Sequence, residues 1–244
     1  MDKIISISLG LFMVIFIVFG SVVSYQVFVE TAYRTSLSST YSYTCTLTTD
    51  STLSNVTLFL PVPADPSGNS PVVTQFSTYA IAGIPKDWTV TLYDTGKATL
   101  VRITTPLITP PAGTLPEKPY SIILSSDMKS GTVIDTREPI NNSAMFRPVR
   151  DLRPVSCPPD SSRESRCYHY LTSMYADYQA PPDASVTITS SLTGKNSWKI
   201  FEPGSNEYST NISLIMTGEN HGWKDAGGSL RSSTGIYDVP DISP

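Results

Sequence analysis

The chain has 244 residues and a formal net charge of −4 at pH 7, with 16% charged residues and only 3 cysteines. A chain of this length forms one or two domains with a sizeable core, so it does not need a dense disulfide framework. Its 17 basic residues do not exceed its 21 acidic ones, which argues against a protein that neutralises nucleic-acid phosphates.

An uncharged apolar segment at the N-terminus predicts a membrane-spanning helix. It runs from Ile4 to Tyr25, and 22 residues at 1.5 Å each extend about 33 Å, enough to cross a bilayer. Because Lys3 precedes it, we expect the N-terminus inside the cell and the residues after about 30 outside. The alternative is a signal peptide cleaved near Ser24, which would release the body. In both cases the body is extracytoplasmic.

The rest of the chain alternates in the manner of β-strands, and after residue 35 no apolar helical repeat is long enough for a stable helix. The runs YSYTCTLTT at 41–49 and VTLFLPV at 56–62 are rich in β-branched and aromatic residues, as strands are. Further strands are predicted at 72–81, 88–93, 98–104, 120–125, 132–135, 167–171, 174–178, 184–192, 198–201, 209–217 and 228–231. The pattern predicts an all-β fold, an antiparallel β-sandwich or two packed sandwiches.

Composition divides the chain into five segments. Residues 1–34 form a short cytoplasmic head, the anchor and a stalk, and 238–244 form a tail. The first β region covers 35–136 and the second covers 167–237. Between them, 137–166 is rich in proline and arginine and is expected to divide the two.

The cysteines and glycosylation sequons fit an exported body. Cys157 and Cys167 lie ten positions apart and are predicted to form a disulfide, worth roughly 3 kcal/mol by loop entropy. Cys45 is then the odd one out, and it is read either as a buried thiol in the first strand or as half of an intermolecular bridge. Three sequons predict N-glycosylation, at Asn55, Asn141 and Asn211.

The residues that carry chemistry do not form a catalytic set. His169 and His221 are the only histidines, and neither has a zinc-binding spacing. There is no nucleophile elbow, no glycine-rich phosphate loop and no acidic calcium run. We therefore favour a non-catalytic protein and predict no catalytic residue, metal or cofactor. An exported hydrolase acting on glycans or peptides stays an alternative.

Two sets of side chains are candidates for ligand binding. Arg147, Arg150 and Arg153 alternate with prolines that favour polyproline II, so the arginines would project from one edge and grip an anionic glycan or an acidic surface protein. The alternative is an ordered loop whose arginines pair with Asp151 and nearby carboxylates. Aromatic rings can stack on the apolar faces of sugars, although packing in the core is the simpler explanation for these residues. These rings are Trp88, Trp198, Trp223 and the tyrosines of 168–178.

Four short runs behind a single N-terminal span carry a resemblance. CYHY at 167–170, APPDA at 180–184, HGW at 221–223 and GIY at 235–237 resemble surface-exposed proteins of methanogenic archaea. The resemblance implies a surface location and no particular activity. We predict a membrane-anchored extracytoplasmic protein that acts by binding, in the envelope, in adhesion or in a surface assembly. A ligand-capturing partner of a transporter is the other alternative, and it predicts a cleft near 137–166.

Overall fold

The computed structural model describes residues 2–96, 98–115, 117–159 and 161–237, with side chains from residue 7 onward. The tail predicted at 238–244 lies outside these residues. The long helix α1 (Asp2–Ser36) precedes a body of strands with two short helices, α2 (Val73–Ser77) and α3 (Pro139–Asn142). The strands are β1 (Ser38–Thr49), β2 (Leu53–Pro61), β3 (Pro63–Ala64), β4 (Thr89–Asp94), β5 (Thr99–Ile108), β6 (Tyr120–Lys129), β7 (Met145–Phe146), β8 (Arg150–Val155), β9 (Arg166–Gln179), β10 (Ser185–Lys199), β11 (Pro203–Thr217) and β12 (Asn220–Gly235).

One antiparallel sheet contains most of these strands, so the predicted all-β fold with a single long helix is confirmed. The order is β4-β5-β2-β9-β12-β11-β10-β1-β6, and β8 pairs with the part of β9 that β2 leaves free. The short strands β3 and β7 pair with each other. Strands from 35–136 and from 167–237 pair directly, β1 with β10 and β2 with β9, so the two regions share one sheet.

The sheet curls until its two ends face each other across a common core. Leu58 of β2 lines the same small apolar void as Cys45 of β1 and Ile122 of β6. Backbone bonds between Ala82 and Ser125 attach the segment before β4 to β6. One curled sheet therefore supplies both inner faces that a sandwich would take from two sheets. Cys45 is buried and unbridged, which confirms the buried-thiol reading.

Glycines opposite aromatic residues make room for large rings inside the sheet. Three such pairs occur in register, Gly194 with Tyr208, Gly204 with Trp198 and Gly228 with Tyr170. A Cβ on Gly228 would lie 2.5 Å from the Tyr170 ring, so only glycine leaves the space that this ring occupies. Aromatic rings laid over strand glycines restore the packing that a glycine lacks.

Two of the predicted strands are wrong. Within 72–81 the chain forms α2 and a turn, because the Ser70 hydroxyl accepts the first amide hydrogens, and Val72 and Phe76, four residues apart, are both buried. Residues 132–135 form an extended loop. The backbone N–H and C=O of Ile134 in this loop bond to the side chain of Asn196 instead of to a neighbouring strand.

The N-terminal helix joins the body without a flexible linker. Over Ile7–Ser36 it is long and apolar enough to cross a membrane, and its most apolar window is not buried against the body. Its last turns pack on the end of β10. There the Tyr33 ring lies 5.5 Å from that of Trp198, and the Ser36 hydroxyl donates to the Lys199 carbonyl at 3.0 Å. Such a helix fits a membrane anchor or a signal sequence.

Candidate functional site

The arginine-rich segment forms strand β8 rather than a polyproline II helix. β9 extends past β2, and its exposed edge binds β8, with Arg150 opposite Leu171 and Arg153 opposite His169. Directly opposite residues of antiparallel strands share a face. Arg150 and Arg153 therefore both lie on the outer face of the sheet.

The three arginines have different surroundings. Arg147 is half-buried, and its guanidinium donates to the carbonyls of Ala64 and Ile140 at 3.0 Å each, so it ties β3 to α3. Arg150 crosses β9 to bond the Asp225 carboxylate of β12 at 2.5 Å. Arg153 is exposed. The structure thus separates Arg147 from the other two.

The predicted aromatic set is also divided by the fold. Trp88 and Trp198 are buried, and the rings of Tyr170 and Tyr178 belong to the core. Trp223 is 56% exposed on the outer face. For the rings that lie in strands, parity separates inner from outer positions, since alternate residues of a strand point to opposite faces; Trp88 precedes β4.

Four aromatic rings form a row across the outer face, which we call the aromatic strip: Tyr93 of β4, Phe59 of β2, Tyr175 of β9 and Trp223 of β12. Neighbouring ring centroids are 5.4, 5.4 and 5.5 Å apart, with interplanar angles of 74°, 83° and 70°. Phe59 lies opposite Tyr175, and Tyr175 lies opposite Trp223. Such edge-to-face contacts fix each ring against its neighbour.

The two end rings of the strip are open to solvent. Tyr93 is 52% exposed and Trp223 is 56% exposed, while the two rings between them are half-buried. Because neighbouring ring centres are 5.4, 5.4 and 5.5 Å apart, the centres of the two end rings lie at most about 16 Å from each other. The guanidinium of Arg102, on β5, lies over the Phe59 ring, 5.9 Å from its centre, in a cation–π arrangement.

Hydrogen-bonding groups flank the strip on both sides. On one side, His221 Nδ1 lies 2.8 Å from the Asp177 carboxylate, which also accepts from the Tyr175 hydroxyl at 3.3 Å. Desolvation and the Asp177 charge raise the pKa of Tyr175. On the other side lies the pair of Arg150 and Asp225.

Half of the strip was not among the predicted binding residues. Phe59 and Tyr93 lie in strands that were predicted, at 56–62 and 88–93. Phe59 stands between the buried Leu58 and Leu60, so strict alternation would have marked it as an aromatic residue on the outer face. The sequence alone does not show that β2 pairs with β9, which brings Phe59 beside Tyr175.

The remaining predicted sites are distributed as follows. Cys157 and Cys167 form the predicted disulfide, with Cα atoms 5.2 Å apart. The three sequon asparagines, Asn55, Asn141 and Asn211, are all exposed, and their glycosylation stays a prediction. Within the described ranges, no group of three histidine, cysteine or acidic side chains is placed to hold a metal ion.

The segment predicted to border a cleft packs against the sheet. Within 137–166, β8 and the disulfide both attach to β9. An open polar pocket of about 320 Å³ lies nearby, with Asp65 and Arg147 in its lining.

No protein-family model, curated protein or solved structure matches the chain.

Proposed function

We propose that this protein is a membrane-anchored, extracytoplasmic glycan-binding protein and that the aromatic strip is its binding surface. The observation that carries the proposal is the geometry of the strip. It has two solvent-exposed rings at the ends of a row whose middle rings fix their positions. Exposed ring faces stack on the apolar faces of sugars, and a row of rings up to about 16 Å long suits an oligosaccharide rather than a single sugar.

The surroundings of the strip favour a neutral glycan over other ligands. Arg150 pairs with the Asp225 carboxylate, His221 bonds to the Asp177 carboxylate and Arg102 lies over the Phe59 ring, so two basic and two acidic side chains balance beside the strip and offer hydrogen bonds without a strong field. Hydroxyl side chains cover much of the nearby face, such as Thr57 opposite Asp177. A protein interface would present a more continuous apolar core. A nucleic acid would require a basic groove.

The position of the strip supports a role away from the membrane. β10 and β12 both run antiparallel to β11, so they run in the same direction. α1 packs at the end of β10, whereas Trp223 lies near the start of β12. Along β12, Trp223 is 12 residues from Gly235, about 40 Å at roughly 3.3 Å per residue. The strip therefore lies near the strand ends opposite to α1.

An extracytoplasmic location is supported by three features. The N-terminal helix is long and apolar enough to span a bilayer. The disulfide between Cys157 and Cys167 fits an oxidising compartment. The sequon asparagines are exposed to solvent. We take the anchor as retained and the N-terminus as cytoplasmic.

The test is affinity electrophoresis of the full chain in detergent through gels that contain a soluble polysaccharide. We expect retardation by at least one neutral polymer among dextran, mannan and xylan. Trp223→Ala should weaken binding about tenfold, since one stacking contact is worth about 1.4 kcal/mol. Adding Tyr93→Ala should weaken binding further.

Tyr79→Ala is the matched control, because Tyr79 is 80% exposed and lies outside the strip. It should bind as the wild type does. Circular dichroism checks that all variants stay folded. Retardation by the anionic polymer alginate alone, an unchanged Trp223→Ala variant, or no retardation by any polymer would overturn the proposal.

A further inference from the structure

An exposed aromatic residue on the body lies beside the helix at the point where the helix would leave the membrane. Phe201 lies in the turn between β10 and β11 and is 62% exposed. Its ring centre is 6.4 Å from that of Tyr25 and 5.7 Å from that of Phe28, both on α1. These three rings are all more than half exposed, and such a contiguous apolar patch marks a contact surface, unlike a single exposed ring.

The depth of this contact follows from the length of the helix. The uncharged run of α1 extends from Ile4 to Val29, about 39 Å at 1.5 Å per residue, and about 20 residues cover the roughly 30 Å hydrocarbon core of a bilayer, so the last residues of the run extend beyond that core. Tyr25 and Phe28 therefore lie at the level of the lipid headgroups, where aromatic side chains concentrate. Phe201 lies at the same level because it contacts both.

The junction between helix and body holds this position. Only Leu37 separates the end of α1 from the start of β1. The Ser36 hydroxyl donates to the Lys199 carbonyl at 3.0 Å and accepts from the Lys199 amide at 2.9 Å. Val29, on the helix, is 4% exposed. These contacts leave little freedom for the body to swing about the helix end.

Charged residues near Phe201 complete an interfacial arrangement. Glu30 and Arg34 form an ion pair of 2.8 Å on the last turns of α1. Lys199 and Glu202 flank the turn and are exposed. Long charged side chains at this level reach the headgroups while the rings between them contact acyl chains.

We propose that the β10–β11 turn is a membrane-contacting surface, with Phe201 inserted among the lipid headgroups, so that the body stands on the bilayer in one orientation. The partner is the bilayer that α1 spans, because the surface is continuous with the helix. The inference rests on the membrane anchor of the proposed function and is independent of glycan binding.

The test measures lipid proximity at single positions of the full chain in phosphatidylcholine liposomes. Glu202→Cys, Ile215→Cys and Leu11→Cys are each labelled with an environment-sensitive fluorophore, and the buried Cys45 of the wild type gives the background. The quencher is a phosphatidylcholine with a spin label near its headgroup. Ile215 is the control, because it is 73% exposed on β11, away from the turn.

We expect the label at 202 to be quenched several-fold more than the label at 215, and we expect Phe201→Ser to remove most of that difference. If the label at position 11 is quenched but the labels at 202 and 215 are quenched equally weakly, the lipid contact of the turn is overturned while the membrane anchor stands. Absence of quenching at all three positions would overturn the anchor as well.

Discussion

At the scale of single residues, position along a strand decides whether an aromatic ring packs in the core or lies on the outer face. Tyr170 points inward and lies over Gly228, while Tyr175, five residues later on β9, points outward into the strip. The sequence shows both as tyrosines in one alternating run. Their separate positions follow from the alternation of inward and outward residues along the strand. That alternation can be predicted once the buried residues of the run are identified.

Adjacent glycines of β12 provide a test of the inward packing. A Cβ on Gly228 would meet the Tyr170 ring at 2.5 Å, whereas a Cβ on Gly227 would meet only the His169 ring at 3.8 Å. Gly228→Ala should lower the free energy of unfolding by about 1–3 kcal/mol, because overpacking forces the ring to move. Gly227→Ala should change it by no more than about 0.5 kcal/mol. Urea titration measures both, and equal effects would contradict this packing.

Buried tyrosines make the fold sensitive to alkaline pH. Burial raises the pKa of Tyr178 to about 12 and that of Tyr43 and Tyr208 well above their ordinary value of 10. Their contribution to stability is fully present below pH 10. It is lost as pH rises through the raised pKa values, because the unfolded chain releases these protons first.

We expect the free energy of unfolding to fall above pH 10, by about 1.4 kcal/mol per pH unit for each buried phenol. Urea midpoints measured at increasing pH, with tyrosinate absorbance followed in parallel, check this. Ionisation of all 13 tyrosines near pH 10 with the sheet intact would show that these phenols are not buried.

At the scale of elements, the sequence predicts strands better than it predicts their partners. Alternation marks the strands of the main sheet because one face of each is buried. It cannot show that β2 pairs with β9, more than a hundred residues away, and that pairing assembles the strip. The misread 72–81 run has β-branched residues, yet the Ser70 hydroxyl, which accepts from the Val72 and Val73 amides, and the buried Val72 and Phe76 favour a helical turn.

The disulfide is the element-scale constraint on the 157–167 loop. Replacing Cys157 and Cys167 by serine should lower the free energy of unfolding by about 3 kcal/mol, since the unfolded chain loses its cross-link. Denaturant titration measures the change. Reductant should destabilise the wild type by a similar amount and leave the double variant unchanged. A double variant as stable as the oxidised wild type would contradict the prediction.

At the scale of the whole molecule, the two proposed contact surfaces lie toward opposite ends of the body. The apolar helix and Phe201 lie at one end of the curled sheet, and the aromatic strip lies toward the other. The sequence predicts the helix and the all-β body, because hydropathy and alternation are local signals. The strip depends on strands from both halves of the chain, which only the folded sheet brings together.

The most direct test is whether the strip faces the exterior of the cell. Thr91 is exposed and lies two residues before Tyr93 on β4, so it shares the outer face with the strip, and Thr91→Cys places a reactive thiol beside the strip without changing its rings. The wild type is the control, since its unbridged Cys45 is buried. We expect a membrane-impermeant maleimide to label the variant in intact cells as fully as in lysed cells. Labelling only after lysis would place the strip inside the cell and contradict a surface glycan-binding role.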